Sequence, residues 1–368
     1  RTAVDLRVDH QPNLAGDLLS RRGLQILQQA RSLLPHYTRM GAYFDDPRLK
    51  AAFTFQDIYM GLSPFEAPAL FSFVPFSEST HGVWFPLGGM YRVVEALLDI
   101  ARRAGVEFAF STPVERIEVR DHAVRGLILE DGSRISTDAV VANADLPYVY
   151  GDLLPADRLA GRLARKRFSC SVISFFWGVD RVIEALGPHT LFLASDYRGN
   201  FDSIDRDHTL PDDPSLYLHA PARIDPRLAP PGQDTVTAIV PVGHIDEQLD
   251  QDWPALRERA RRAVLRRLRE LGVDDFEAHI KFEVNYMPPS WRKRYNLVKG
   301  ATHGLSHTVT QMAYFRPENR HRRYRNLYFV GASTHPGTGI PSSFVSGRLA
   351  AQRMIEDLGI YSSTKRLP

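Results

Sequence analysis

The residues best placed to do chemistry lie near the end of the chain, in the run YFVGASTHPGTGIPSSFVSG (residues 328–347). An apolar strand ends there in Gly331 and Ala332, which are small enough for a ligand to approach the backbone. Ser333 and Thr334 follow with hydroxyls. The segment HPGTGIP then turns the chain so that Pro341 opens a helix, a position where proline is tolerated. The first N–H groups of that helix and the positive end of its dipole favour an anion, or a group that becomes anionic on reduction. Gly337, Gly339 and Ser342 approximate a G-x-G-x-x-G loop with its third glycine replaced, and the acidic partner that a ribose would require is missing. A second candidate is YFDDPRLKAAF, where Asp46 and Lys50 stand four residues apart and share a face if the segment is helical. They read as a proton-handling pair or as a surface ion pair. The histidines are scattered, and His335 in the turn reads as a supporting residue.

Elements of two kinds must position these groups. Residues 16–42 carry Leu18, Leu19, Leu24, Ile26, Leu27, Leu33 and Leu34 at helical spacing, with a break near Pro35. From Pro47 to Phe76 aromatics are dense, which suits a helical core, an apolar substrate channel or a membrane-facing lid. Gly88 and Gly89 precede a helix bearing Val93, Val94, Leu97, Leu98 and Ile100, and Gly105 ends it. The run VEFAFSTPVERIEV alternates as strands, an Asp131-Gly132 turn follows, and Ala139 to Ala142 reads as a buried strand. SCSVISFFWGVD, SLYLHAPARI and DTVTAIVPVGHI predict a mostly antiparallel second domain. Within it, DWPALRERARRAVLRRLRELG has seven arginines between Arg257 and Arg269 beside one apolar face. That helix suits either a solvated face over a core or an anionic membrane surface.

With 43% apolar and 24% charged residues among 368, the composition excludes disordered and fibrous classes. A net charge of +3 is too small to imply a nucleic-acid partner. Cys170 is the only cysteine, which excludes an internal disulfide, leaves no thiolate set for a metal and fits a reducing compartment. No apolar run reaches the roughly 18 to 20 residues of a membrane-spanning helix, and no signal-peptide layout opens the chain.

The C-terminal run resembles the flavin-binding signature of bacterial and fungal type phytoene desaturases, FAD-dependent carotenoid desaturases related to amine oxidases. GVWFPLGGM, LEDGSRISTDAVVANAD, SLYLHAPARIDPRLAPPG and HTVTQMAYFRPENR resemble segments of the same family in the same order, so the likeness runs along nearly the whole chain. It implies an α/β (mixed α+β) fold: a split Rossmann-like FAD-binding domain (79–150 and 299–368), an antiparallel-sheet substrate domain (151–298) and a helical lid or membrane-associating region (1–78). It also implies that a G-x-G-x-x-G element precedes Arg1, since the present sequence lacks one, and that a chain without it holds FAD weakly. By the same resemblance Pro86, Gly88 and Gly89 line the flavin side and Val114 meets the adenine through its backbone. Asn143, Ala144 and Asp145 lie near the cofactor. Gly331, Ala332, Ser333 and Thr334 meet the ribityl and diphosphate end, and Gly339, Ile340, Pro341 and Ser342 the flavin ring. Ser333 stands where glycine is common in the family, and a charged pair is expected in the region of Asp46 and Lys50. The implied activity is desaturation of phytoene or a related carotene by a cytoplasmic enzyme at a membrane surface, with oxygen or a quinone as acceptor and no metal. Related carotenoid ketolases or isomerases, and a non-catalytic membrane-associated remnant, are the alternatives.

Overall fold

The computed structural model describes residues 33–156 and 158–359. Most of the helix expected over 16–42 lies outside those residues. Pro35 stands at the start of the short helix α1 (His36–Met40), and His36 is anchored beneath the surface by Asp57 at 3.0 Å. The aromatic-rich stretch folds into short pieces: α2 (Pro47–Ala52), the 3-10 helices Phe55–Met60 and Ala69–Ser72, and α3 (Phe73–His81). Phe71 joins a small core with Leu62 and Ala67, while Phe55 and Tyr59 face a cavity. The run therefore supplies both a small core and part of a cavity wall.

Helix α4 (Tyr91–Arg103) forms where expected, but none of its residues is buried. After it, residues 106–113 pair with no strand among the described residues, and Val106, Phe108 and Phe110 are exposed. The alternation there lacks the partner that a strand needs. β1 (Val114–Arg120), β2 (Ala123–Leu129) and β3 (Arg134–Ser136) make an antiparallel meander around the Asp131-Gly132 turn. β4 (Val140–Ala142) pairs in parallel with β10 (Leu327–Phe329), Ala142 opposite Phe329. The expectation of a buried β4 is corrected, because Val141 is exposed on a sheet of only two strands. β10, by contrast, is buried throughout.

β5 (Ser171–Val179), β6 (His189–Phe192), β7 (Leu216–His219), β8 (Asp234–Val242) and β9 (Ile280–Tyr286) form an antiparallel sheet in the order β6-β7-β8-β5-β9. Period-two alternation divides its two faces. Phe175, Trp177, Leu218, Ala238 and Val240 point into one core with Leu256, Ala260, Val264 and Leu268 of the arginine-rich helix, which spans Trp253–Glu270. Its apolar stripe is thus taken up in the core, and Arg259, Arg261, Arg266 and Arg267 bind carboxylates of Asp212, Glu277, Glu283 and Asp213. The solvated-face reading of this helix holds, and it has no apolar stripe left for a bilayer. On the other sheet face Tyr217, Ile239 and Pro241 look toward the helix Tyr197–Asp205 and the 3-10 helix Phe55–Met60, across the cavity. A second core, including Ile117, Val124, Leu146, Val149 and Phe329, joins the meander to the β4–β10 pair. The C-terminal helix Ile340–Asp357 packs on β10.

Candidate functional site

The turn between β10 and the C-terminal helix is held by two side chains that the sequence did not single out. Asn319 Nδ2 donates to the carbonyls of Phe329 and His335, at 3.1 and 2.9 Å, and to Ser346 Oγ at 3.0 Å. Ser346 Oγ in turn accepts from the Gly331 N–H at 3.2 Å. Further along, Gly337 has φ +137, and a Cβ there would lie 2.5 Å from His307 Nε2. The same nitrogen accepts from the Thr338 N–H at 3.0 Å. Only glycine allows the chain to press this closely against the imidazole.

Asp145 and Ser333, both expected near a cofactor, meet across 188 residues, the serine hydroxyl donating to Asp145 Oδ1 at 2.6 Å. Val298 N–H donates to Asp145 Oδ2 at 3.1 Å, and Leu305 N–H to Ser333 Oγ at 3.1 Å. Burial raises the Asp145 pKa, against the hydrogen bonds from Ser333 and Val298 and the charge of Arg316. Arg316 is itself buried and donates to the carbonyls of Leu305 (2.9 Å), Ser306 (2.6 Å), Gln311 (3.2 Å) and Ala332. Burial lowers its pKa to about 9, and the Asp145 charge opposes that shift. The pair fixes the loop 298–316 beneath Ala332 and Ser333. Asn143 Oδ1 lies 3.2 Å from the point a Gly331 Cβ would occupy, so Asn143 and Gly331 also come together.

The remaining expected residues are placed elsewhere. Gly88 N–H donates to Asp225 Oδ2 at 2.7 Å, and Asp225 is forked by Arg227 at 2.8 and 2.9 Å. Arg227 first, and Gly88 second, hold that carboxyl far below the usual range. The Pro86–Gly89 loop thus docks on the Asp225–Leu228 turn, and among the described residues none of its hydrogen bonds reaches the 331–342 turn. Val114 opens β1 opposite Leu129, and Ala144 packs against the second core. Asp46 caps α2 and binds Arg48 through both oxygens, and neither Asp46 nor Lys50 lines the cavity. The capping geometry gives Asp46 a structural role at the start of α2.

The C-terminal helix starts after Gly339 (φ +104) with no side-chain cap, and Gly339, Ile340 and Pro341 are exposed at its mouth. Its open N–H groups suit a ring that gains negative charge on reduction. Thr302 and His303 line the cavity, and at Gly304 the same loop runs so close to Ser333 Oγ that a Cβ would collide with it. The cavity and the polar turn are therefore neighbours. The cavity holds about 670 Å³ and its wall is largely hydrocarbon, with Phe55, Ile58, Phe201, Leu216 and Ile239 prominent. His303 in its wall is kept neutral by burial, with its pKa lowered to about 4. No sequence period announced Arg316, Asn319, Ser346 or His303. HTVTQMAYFRPENR was the one signal touching Arg316 and Asn319, and it marked a segment rather than a role.

Residues 24–355 match the family described as flavin containing amine oxidoreductase. A phytoene desaturase of Fusarium fujikuroi is 39% identical over 349 residues, covering 89% of this chain and 61% of its own length. A zeta-carotene-forming phytoene desaturase of Myxococcus xanthus is 41% identical over 361 residues, covering 96% of this chain and 68% of its own. The chain spans about three fifths of the length of the fungal relative. A solved oxidoreductase from Methanosarcina mazei shares the fold with a TM-score of 0.60 at 15% identity, over 92% of this chain and 74% of that one.

Proposed function

The chain belongs to the flavin-containing amine oxidoreductase family, and from that premise we propose that it takes part in FAD-dependent desaturation of phytoene or a related carotene. The observation that carries this reading is the hydrocarbon-lined cavity beside the polar turn. Its wall offers an extended apolar molecule a large contact area and few groups to recognise a polar head. Relatives named phytoene desaturase support the same choice.

FAD, when bound, supplies the two-electron oxidation. Gly331, Ala332, Ser333 and Thr334, with Asn143, Ala144 and Asp145, would hold it along the β4–β10 edge, and Gly339, Ile340, Pro341 and Ser342 would present the open helix mouth. Pro86, Gly88, Gly89 and Val114 complete the proposed set. The Asp145–Ser333–Arg316 network keeps this cradle from shifting, since each member is tied to the backbone of another loop. Aromatic and aliphatic walls keep water from the reacting carbons and align the chain of the substrate.

Membrane contact is assigned to the segment at the cavity rim rather than to the arginine helix. Phe76, Val83, Trp84, Leu87 and Tyr91 are exposed along the segment that carries Val83, Trp84 to 88%. Val83 also lines the cavity, so a substrate dissolved in lipid would enter without crossing water. No helix among the described residues is long and apolar enough to cross a membrane. Oxygen or a quinone would reoxidise the flavin.

The test is anaerobic incubation of FAD-loaded protein with phytoene in liposomes. Bleaching of the flavin together with a longer-wavelength polyene spectrum is expected. A protein that binds FAD and phytoene but leaves both spectra unchanged would refute the assignment.

A further inference from the structure

Among the described residues lining the cavity, Glu78 is the single carboxylate. It projects from α3, half-buried, and among the described residues its carboxylate accepts a single, long hydrogen bond, from Gln56 Nε2 at 3.4 Å. The facing groups are neutral. Tyr59 on the 3-10 helix Phe55–Met60 and Tyr217 on β7 are held as phenols by burial, Tyr217 at about 12. His189 on β6 has its pKa lowered by burial and by His219, and its Nδ1 lies 2.6 Å from the Tyr217 hydroxyl. His303, on the loop leading to the polar turn, is neutral as well. Burial raises the Glu78 carboxyl above its ordinary value, and the Gln56 amide is the group that opposes the shift.

A hydrocarbon has nothing to which a carboxylate can bind, and an unpaired acid in an apolar wall is unfavourable. Recognition therefore does not explain Glu78, and among the described residues no ion pair reaches it. Proton transfer does. We propose that Glu78 accepts the proton lost from the substrate as the new double bond forms, a role that rests on the desaturation reading above. One C–H bond of the carotene breaks with its electron pair, leaving as hydride for the oxidised flavin. The neighbouring carbon then gives its proton to a Glu78 carboxylate oxygen, and the electron pair of that C–H bond becomes the second bond of the alkene. Two electrons and one hydrogen would leave as hydride for the flavin, one proton sits on Glu78, and the half-buried carboxyl returns that proton to solvent. A carboxyl with a raised pKa is the stronger base for the task.

Two variants beside the wild type, and three readouts, test this. Phytoene affinity is measured by quenching of tryptophan fluorescence, and the single-turnover rate of flavin bleaching is followed against pH in FAD-loaded wild type, Glu78→Gln and Glu78→Asp. An isotope-edited infrared titration of the Glu78 carboxyl, with and without the inert hydrocarbon squalane, provides a readout independent of turnover. The wild-type rate is expected to fall as pH drops through the Glu78 pKa. Glu78→Gln should lose about 100-fold or more in rate, lose that acid limb and keep its phytoene affinity, while Glu78→Asp keeps a limb. Squalane, by drying the cavity, should move the carboxyl titration to higher pH. A Glu78→Gln protein that bleaches flavin at the wild-type rate, or retains the same acid limb, overturns the role of Glu78 while leaving desaturation intact. Loss of rate only in proportion to lost phytoene affinity overturns it too, as does a titration that squalane does not move. Absence of bleaching in the wild type, with phytoene bound, overturns the desaturation reading itself.

Discussion

Replacing Gly337 with alanine should loosen the turn that carries the proposed flavin site. The backbone there has φ +137, and the new Cβ would lie 2.5 Å from His307 Nε2 and 2.9 Å from its Cδ2. A side chain in that backbone region costs roughly 1–3 kcal/mol. Pushing the buried imzidazole ring of His307 away adds an overpacking penalty of roughly 1–3 kcal/mol. The Thr338 N–H bond to His307, 3.0 Å long, is then strained or broken, at about 1 kcal/mol. Allowing for relaxation, the total is roughly 4 kcal/mol. Gly347, about two turns into the C-terminal helix, is the internal control, because nothing lies within 4 Å of its added Cβ. Gly347→Ala should stabilise by about 0.5–1 kcal/mol through helix propensity. Urea unfolding at 25 °C, read at matched slope, compares the three proteins. A Gly337→Ala protein within about 1 kcal/mol of wild type would show that the turn yields freely, and the close-packed account of the site would fail.

Other perturbations separate the parts of the site. Ser333→Ala removes the 2.6 Å bond to Asp145 and the acceptor of Leu305 N–H; FAD affinity measured by fluorescence titration should drop by about 1–3 kcal/mol, and an unchanged value would count against the cradle. Ile58→Trp adds bulk to the cavity wall, so phytoene binding should weaken at least tenfold, about 1.4 kcal/mol, with FAD binding kept. His303 has its folded pKa lowered from 6.5 to about 4. Its neutral form is favoured by folding, so that stability is present above pH 6.5 and is lost as pH falls toward 4. His303→Phe should remove up to about 3 kcal/mol of this loss between those limits, visible as a flatter urea midpoint against pH; an unaltered slope would place the titration elsewhere.

Local periodicity was enough for the elements that bury one face. β5, β7 and β8 alternate, and the stripe Leu256, Ala260, Val264 and Leu268 returns at helical spacing, so the antiparallel sheet and its covering helix were legible. What periodicity cannot express is pairing at a distance. The strand reading of 106–113 failed because alternation says nothing about the presence of a partner. Ala139 to Ala142 looked fully buried, yet a parallel pair of strands leaves Val141 uncovered. In the site, Ser333 and Asp145 were each named, but their mutual bond depends on the β4–β10 register. Asp46 met the spacing rule for a pair with Lys50, and the nearer Arg48 captured it because a helix cap brings residues two apart into reach. The cavity was out of range for the same reason as the strand pairing: its wall comes from Phe55–Met60, Tyr197–Asp205 and the sheet, three segments with no common period.

The bond between Ser333 and Asp145 also sets a clock on synthesis. Asn326 lies 202 residues beyond Val124, to whose backbone it bonds, and Ser333 lies 188 residues beyond Asp145. At about 5–20 residues per second, a ribosome needs roughly 10 to 40 s to deliver the second partner after the first. During that interval Asp145 and the β4 edge have left the exit tunnel without their closing strand, whereas β5 and β8 can pair as soon as Val242 emerges. The antiparallel sheet can therefore fold while translation continues, and the proposed flavin cradle cannot close until Ser333 has emerged. A pause introduced between β9 and β10 would lengthen the exposure of the unfinished half and leave the finished sheet unaffected.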